Sequence, residues 1–242
     1  MRLFRPRLTL LPSAYLTIVT SLSIVTCTIF SIATHDGDNK GYTVKPKLNI
    51  VIGSTRPGRV GPVVAQWLDT VARQHGKFEV DLVDLADFDL PLLNEQAHPM
   101  TQQYTQQATK RWSQSVASAD AFVFVTPEYN YFPPASLVNA VQVVAKEWHY
   151  KPAAVVSYGG ISGGLRAAQV LRQLLSNVNV YALTQPVPLP MFTQFVGEDG
   201  AFHPNELITD GVLQMLDEIH TVATTMTELR PARAEVKQQS AA

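Results

Sequence analysis

Residues 47–76 read KLNIVIGSTRPGRVGPVVAQWLDTVARQHG. Leu48 to Ile52 is a short apolar run ending at Gly53, the pattern of a buried strand. Val63, Trp67, Leu68 and Val71 then recur at helical spacing, and Gly76 marks where that helix stops. A strand, a small-residue loop and a helix in this order make the first half of a βαβ unit.

The alternation continues outward from this stretch. Phe78 to Val83 alternates as a second strand, and after a Pro-containing loop Tyr104, Ala108, Trp112 and Val116 share one helical face. Ala121 to Val125 is apolar throughout, as a parallel strand covered on both faces should be. Pro133-Pro134 opens a helix whose stripe reads Leu137, Val141, Val144 and Trp148. Ala153 to Val156 is a strand ending at Ser157, and Leu165, Ala168, Leu171, Leu175 and Val178 form the next helix. Val180 to Leu183 reads as a fifth strand, and Ile208, Val212, Met215, Ile219 and Val222 as a last amphipathic helix. Five strands alternating with five helices predict an α/β fold: a doubly wound parallel sheet in the order 2-1-3-4-5, with helices on both faces.

Composition agrees with a packed domain and narrows its partners. Of 242 residues 46% are hydrophobic and 16% charged, and the net charge is −1, which leaves no basic footprint for nucleic acid. The single cysteine, Cys27, excludes an intrachain disulfide framework and a cysteine-built metal site. The six histidines form no ligand-spaced pair, so no metal site is assigned.

Residues 1–46 differ from the rest. Arg2, Arg5 and Arg7 precede 26 uncharged residues, Leu8 to Ala33, and a polar linker follows from His35 to Gly41. A signal peptide has a basic start, an apolar run and small residues such as Ser31-Ile32-Ala33 at its end. A membrane anchor needs about 20 apolar residues, and here residues 8–33 would provide the membrane association. An organellar presequence is Arg-rich, Ser-rich and acid-poor. All three readings stand beside a fourth, that the leader is not used. The expected organisation is a hydrophobic leader and linker at 1–46, a folded domain at 47–230 that is net −4 with its tail, and a disordered tail at 231–242.

In a sheet of this order a ligand sits beyond the carboxyl ends of the strands, at the switch point between strands 1 and 3. After strand 1 comes GSTRPGRVG, residues 53–61, whose small residues, two hydroxyls and two arginines suit a phosphate monoester at a helix N-terminus. It is neither a Walker loop nor the dinucleotide fingerprint. After strand 3 comes PEYNYFPP, residues 127–134, with rings against which a planar ligand could lie. After strand 4 comes SYGGISGG, residues 157–164, where glycines allow a ligand to touch the main chain. A flat ring system with one phosphate fits the three loops together, and FMN is the candidate.

The segments at 53–67, 127–141 and 147–175 resemble those of the NAD(P)H-dependent FMN reductase family, flavodoxin-like quinone, azo-dye and flavin reductases, in order and at family spacing. The helix after the second loop departs from the family's L-K-N-A-L-D pattern at Val138 and Gln142. The resemblance implies that Ser54, Arg56, Arg59 and the Val60 amide hold the FMN phosphate. It implies that Pro127, Glu128, Tyr129 and Asn130 line the ribityl chain and ring edge, and that Ser157, Tyr158, Gly159 and Gly160 contact the ring through backbone groups. It further implies an oxidoreductase in which hydride passes from NAD(P)H to bound FMN and on to a small-molecule acceptor, a quinone, azo compound, flavin or similar. The cofactor carries that chemistry, so no catalytic side chain is assigned. A homodimer or homotetramer is expected by the same resemblance, in a family that is usually cytoplasmic. The alternative reading is a flavodoxin-type electron carrier or redox sensor without efficient NAD(P)H oxidation.

Overall fold

A computed structural model of the chain describes residues 44–230. The leader read in residues 8–33 and the tail after Arg230 lie outside the described residues. Among the described residues, no helix is long and apolar enough to cross a membrane.

The strands are β1 (Lys47–Ile52), β2 (Glu79–Asp84), β3 (Ala121–Pro127), β4 (Pro152–Tyr158), β5 (Tyr181–Ala182) and β6 (Val187–Leu189). The helices are α1 (Gly61–His75), α2 (Gln107–Ser118), α3 (Ala135–Gln142), α4 (Leu165–Asn177) and α5 (Glu206–Thr225). All strand pairs are parallel, in the order β2-β1-β3-β4-β5, with β6 also paired to β4. Alternate residues face opposite sides. Leu48, Ile50 and Ile52, with Ala121, Val123 and Val125, pack under α1 and α5. Val51, Phe122, Phe124 and Val155 pack under α2, α3 and α4. All seven residues of β3 are buried, which is why its sequence shows no alternation.

Three sequence expectations are corrected. The fifth strand is split into β5 and β6. Ala182 pairs with Ala153 and Val187 with Val156, so five chain steps oppose three and the excess bulges out. Pro186, Pro188 and Pro190 lack ladder donors, which confines this segment to short edge strands.

The second correction concerns α3, which ends at Gln142, so Val144 and Trp148 do not continue its stripe. A longer helix would give the Ala140 and Val141 carbonyls to amides four residues on. Instead they accept the indole N–H groups of Trp112 at 2.7 Å and Trp148 at 3.1 Å. The Ala145 amide donates to the Glu147 carboxylate at 3.1 Å. The Trp148 ring also makes edge-to-face contacts with Phe122 at 4.9 Å and with Trp112 at 5.9 Å. Tyr104 likewise lies outside α2, yet its hydroxyl donates to Glu147 at 3.0 Å.

Glu147 is buried and also accepts from Ser113 Oγ at 2.6 Å. A charged acceptor with three donors tolerates substitution badly, because each orphaned donor carries its own desolvation cost. Glu147→Gln is therefore expected to lower unfolding free energy by about 2 kcal/mol. Urea denaturation with an unchanged slope checks this; an unchanged midpoint would mean the amide satisfies the same donors.

Candidate functional site

The three loops meet at the carboxyl edge of the sheet. The first is pinned at its start, with the Gly53 amide donating to Val125 O at 2.9 Å and Ser136 Oγ donating to Gly53 O at 2.7 Å. Arg56 to Arg59 then form a turn closed by Arg59 N–H to Arg56 O at 3.1 Å, with Gly58 at φ 70°. Pro57 and Gly58 stand where a type II turn wants a fixed φ and a positive one. Val60 is the N-cap of α1, which has no side-chain cap and no acidic residue in its first turn. Its amides and dipole therefore remain for an anion.

Side chains around this turn divide the work. Ser54 is buried, with Oγ 2.9 Å from the Tyr129 hydroxyl. Arg56 is exposed, its guanidinium 6.0 Å from the Tyr129 ring centroid. Arg59 is partly buried and pairs with Asp84 at the end of β2, while its Nε is buried without a protein partner. Tyr158 places its ring on the α1 side against Phe192, and an added Cβ at Gly61 would stand 3.0 Å from its phenol oxygen. Burial first, and then Tyr129, push the pKa of that phenol up, so it stays protonated. Ser54, Arg56, Arg59, Tyr129 and Tyr158 are thus brought together at the entrance to α1.

The other expected residues take different orientations. Pro127 is buried in β3, and the Glu128 amide donates to Tyr158 O at 3.2 Å, tying the second loop to the third. The Glu128 side chain turns to the N-terminus of α4, where it accepts from the Arg166 amide at 3.1 Å and pairs with Arg166 Nε at 3.0 Å. Asn130 is exposed on a tight turn at φ 52°. Ser157 is buried and its hydroxyl donates to Gly163 O at 2.9 Å, so it shapes the third loop from beneath. Gly159 is half-buried and Gly160 exposed, with nothing within 4 Å of where a Cβ at Gly160 would stand.

Sequence reasoning missed the segment after β2. Leu85, Ala86, Asp89 and Leu90 join Thr55 and Ser136 around a polar cavity of about 280 Å³ beside the first loop. The only signal there was a Pro-containing connection. A larger cavity of about 580 Å³ lies elsewhere, between α5 and the segment after β5, walled by Pro186, Val187, Phe195, Leu207, Ile208 and Met215. Among the described residues, no group of three His, Cys, Asp or Glu side chains could hold a metal ion.

The residues fit FMN. A small-residue loop opens α1 without a competing acid, Arg59 has a donor to spare, and Gly160 leaves open space where a Cβ would stand. Together with the strand order, these features define a flavodoxin-like flavoprotein. Comparison with known proteins narrows the class. Residues 46–194 match the family model of NADPH-dependent FMN reductases, and the chain belongs to that family, an oxidoreductase family whose cofactors are FMN and a reduced nicotinamide. An NAD(P)H-dependent FMN reductase of Schizosaccharomyces pombe is 40% identical over 129 residues, spanning 52% of this chain and 64% of that one. One from Nectria is 33% identical, spanning 69% of this chain and 83% of its own. One from Saccharomyces cerevisiae is 34% identical, spanning 63% and 86%. Among solved structures, a flavoenzyme NAD(P)H:acceptor oxidoreductase of Paracoccus denitrificans superposes with a TM-score of 0.60 at 20% identity, covering 75% of this chain and 98% of that one. That likeness is one of fold.

Proposed function

We propose that this chain holds FMN across the three loops, oxidises NAD(P)H with it, and reduces a small-molecule acceptor, with quinones the first class to test. The observation that carries the reading is the convergence of Ser54, Arg56 and Arg59 on the uncapped entrance of α1, at the edge where Gly160 leaves open space on its Cβ side. Bound FMN supplies the two-electron chemistry between the nicotinamide and the acceptor.

The protein's own residues bind and orient. Arg56 and Arg59 carry the positive charge for the phosphate, with Ser54 Oγ and the Val60 amide as added donors. Pro127 to Asn130 line the ribityl chain and ring edge, with Glu128 acting through the backbone and through its hold on α4. Ser157 to Gly160 present main-chain groups to the ring, where fixed amide dipoles favour the charge that reduction adds. Residues 47–230 are the cofactor-binding domain, and a second copy of the chain covers the site. Leu92, Tyr131 and Phe132, each more than half exposed at this edge, support that assembly.

An anaerobic NADPH titration of the full chain, followed in the oxidised-flavin absorbance band, tests the proposal. One NADPH per flavin is expected to bleach the band. A band that NADPH leaves intact would identify a carrier instead, and failure to take up added FMN would overturn the reading of all three loops.

A further inference from the structure

The second loop carries an unexplained strain. Tyr129 and Phe132 exchange backbone hydrogen bonds, N–H to O at 2.8 Å and 3.0 Å, across a two-residue turn. Both central residues have positive φ, Asn130 at 52° and Tyr131 at 73°. Asparagine tolerates that conformation, whereas a tyrosine there is strained. Packing does not hold Tyr131 in place, since it is 60% exposed.

One side chain does hold it. The Arg166 guanidinium lies 4.1 Å over the Tyr131 ring centroid while its Nε pairs with Glu128 Oε1 at 3.0 Å. Glu128 in turn accepts from the backbone amides of Arg166 at 3.1 Å and Ala167 at 3.4 Å, and from Ser162 Oγ at 3.4 Å. Its side chain is only 11% exposed, so this carboxylate caps α4 in a largely water-excluded position where a negative charge is favoured. A half-exposed ion pair alone would count for little. Here the same guanidinium adds a cation–π contact to the strained residue, and the two contacts act on one short loop.

We propose that Arg166 is a positioning residue that locks the 127–132 loop to the N-terminus of α4, so that two walls of the flavin slot form one body before the cofactor arrives. This rests on the FMN reading given above. Preorganised walls avoid the ordering cost at the moment of binding. The same contact keeps the Glu128 charge directed at α4 and away from the ring.

Two measurements on the full-length protein test the clamp. In apoprotein, Arg166→Ala is expected to speed hydrogen exchange of the Tyr129 and Phe132 amides about tenfold, with exchange in β3 unchanged. FMN titration by flavin fluorescence should show a Kd raised about five- to tenfold for Arg166→Ala. Arg166→Lys keeps the charge for Glu128 and should recover part of that loss. Tyr131→Phe keeps the ring and should bind as wild type. Adding Arg166→Ala to Tyr131→Gly should raise Kd less than Arg166→Ala does alone. Wild-type exchange rates in Arg166→Ala apoprotein, or wild-type FMN affinity in that variant, would overturn the clamp. A wild-type chain that takes up no FMN would instead overturn the flavin reading, while the exchange data still judge the contact itself.

Discussion

Arg56→Ala is expected to strip FMN from the purified protein, raising its Kd about 10- to 100-fold, the equivalent of one charge-assisted hydrogen bond of roughly 1.5–3 kcal/mol. The reason is that Arg56 has no other assignment. It is exposed on the turn, with its guanidinium 6.0 Å from the ring centroid of Tyr129. Its loss should leave folding intact, so the thermal midpoint of the apoprotein should not move. Arg59 is different. It pairs with Asp84, whose side chain is only 18% exposed, so Arg59→Ala should weaken FMN and lower stability together by leaving that carboxylate without its cation. Riboflavin provides the control, because it lacks the phosphate. Arg56→Ala should bind riboflavin as the wild type does. An Arg56→Ala protein that kept a full flavin complement, or that lost riboflavin equally, would remove Arg56 from the phosphate site.

Gly164→Ala is expected to destabilise the fold by about 3 kcal/mol, where an unrestrained surface change costs under about 0.5 kcal/mol. Gly164 sits at φ 79°, and an added Cβ would stand 2.8 Å from both the nitrogen and the oxygen of Tyr158 and 2.9 Å from Ser157 Cβ. Those neighbours belong to β4, which is buried in the middle of the sheet and has nowhere to go. Gly160→Ala makes the contrast. Nothing lies within 4 Å of its added Cβ and its φ is not positive, so the apoprotein should melt as wild type. The methyl would instead stand where the ring is proposed to meet the main chain, and FMN affinity should fall. Thermal melts and FMN titrations of the two apoproteins check both expectations. Loss of stability in Gly160→Ala, with affinity unchanged, would make the third loop a turn of purely structural purpose.

These glycines show how far a sequence can be read. The run SYGGISGG is legible as a loop whose main chain must be approached closely. Its division of labour is not. Gly163 and Gly164 serve packing and backbone conformation, with positive φ and close neighbours in Leu189 and Tyr158, whereas Gly160 faces open space. Nothing in the spacing sets Gly160 apart from Gly163 and Gly164, because the atoms that decide between them come from β4 and β6.

Glu128 makes the same point with charge. As the acid after a buried strand it reads as a residue of the ligand loop, yet its carboxylate belongs to the N-terminus of α4, 38 residues on. Arg59 reads as a free phosphate ligand, yet Asp84 from β2 shares it. Tyr158 reads as a backbone contact to the ring, and only the structure shows that its phenol reaches beneath α1.

By itself the sequence determined the strand order, the helices that cover each face of the sheet, and the three loops gathered at one edge. It could do so because apolar periodicity, glycine and proline act over a few residues, and parallel pairing then leaves few topologies. Only the tertiary structure decided where α3 stops, how the fifth strand breaks, and which charged side chains remain for a ligand. Those outcomes depend on which distant donor or acceptor arrives first at a given backbone or side-chain group: the indoles of Trp112 and Trp148 at the end of α3, Asp84 at Arg59, and Arg166 at Glu128.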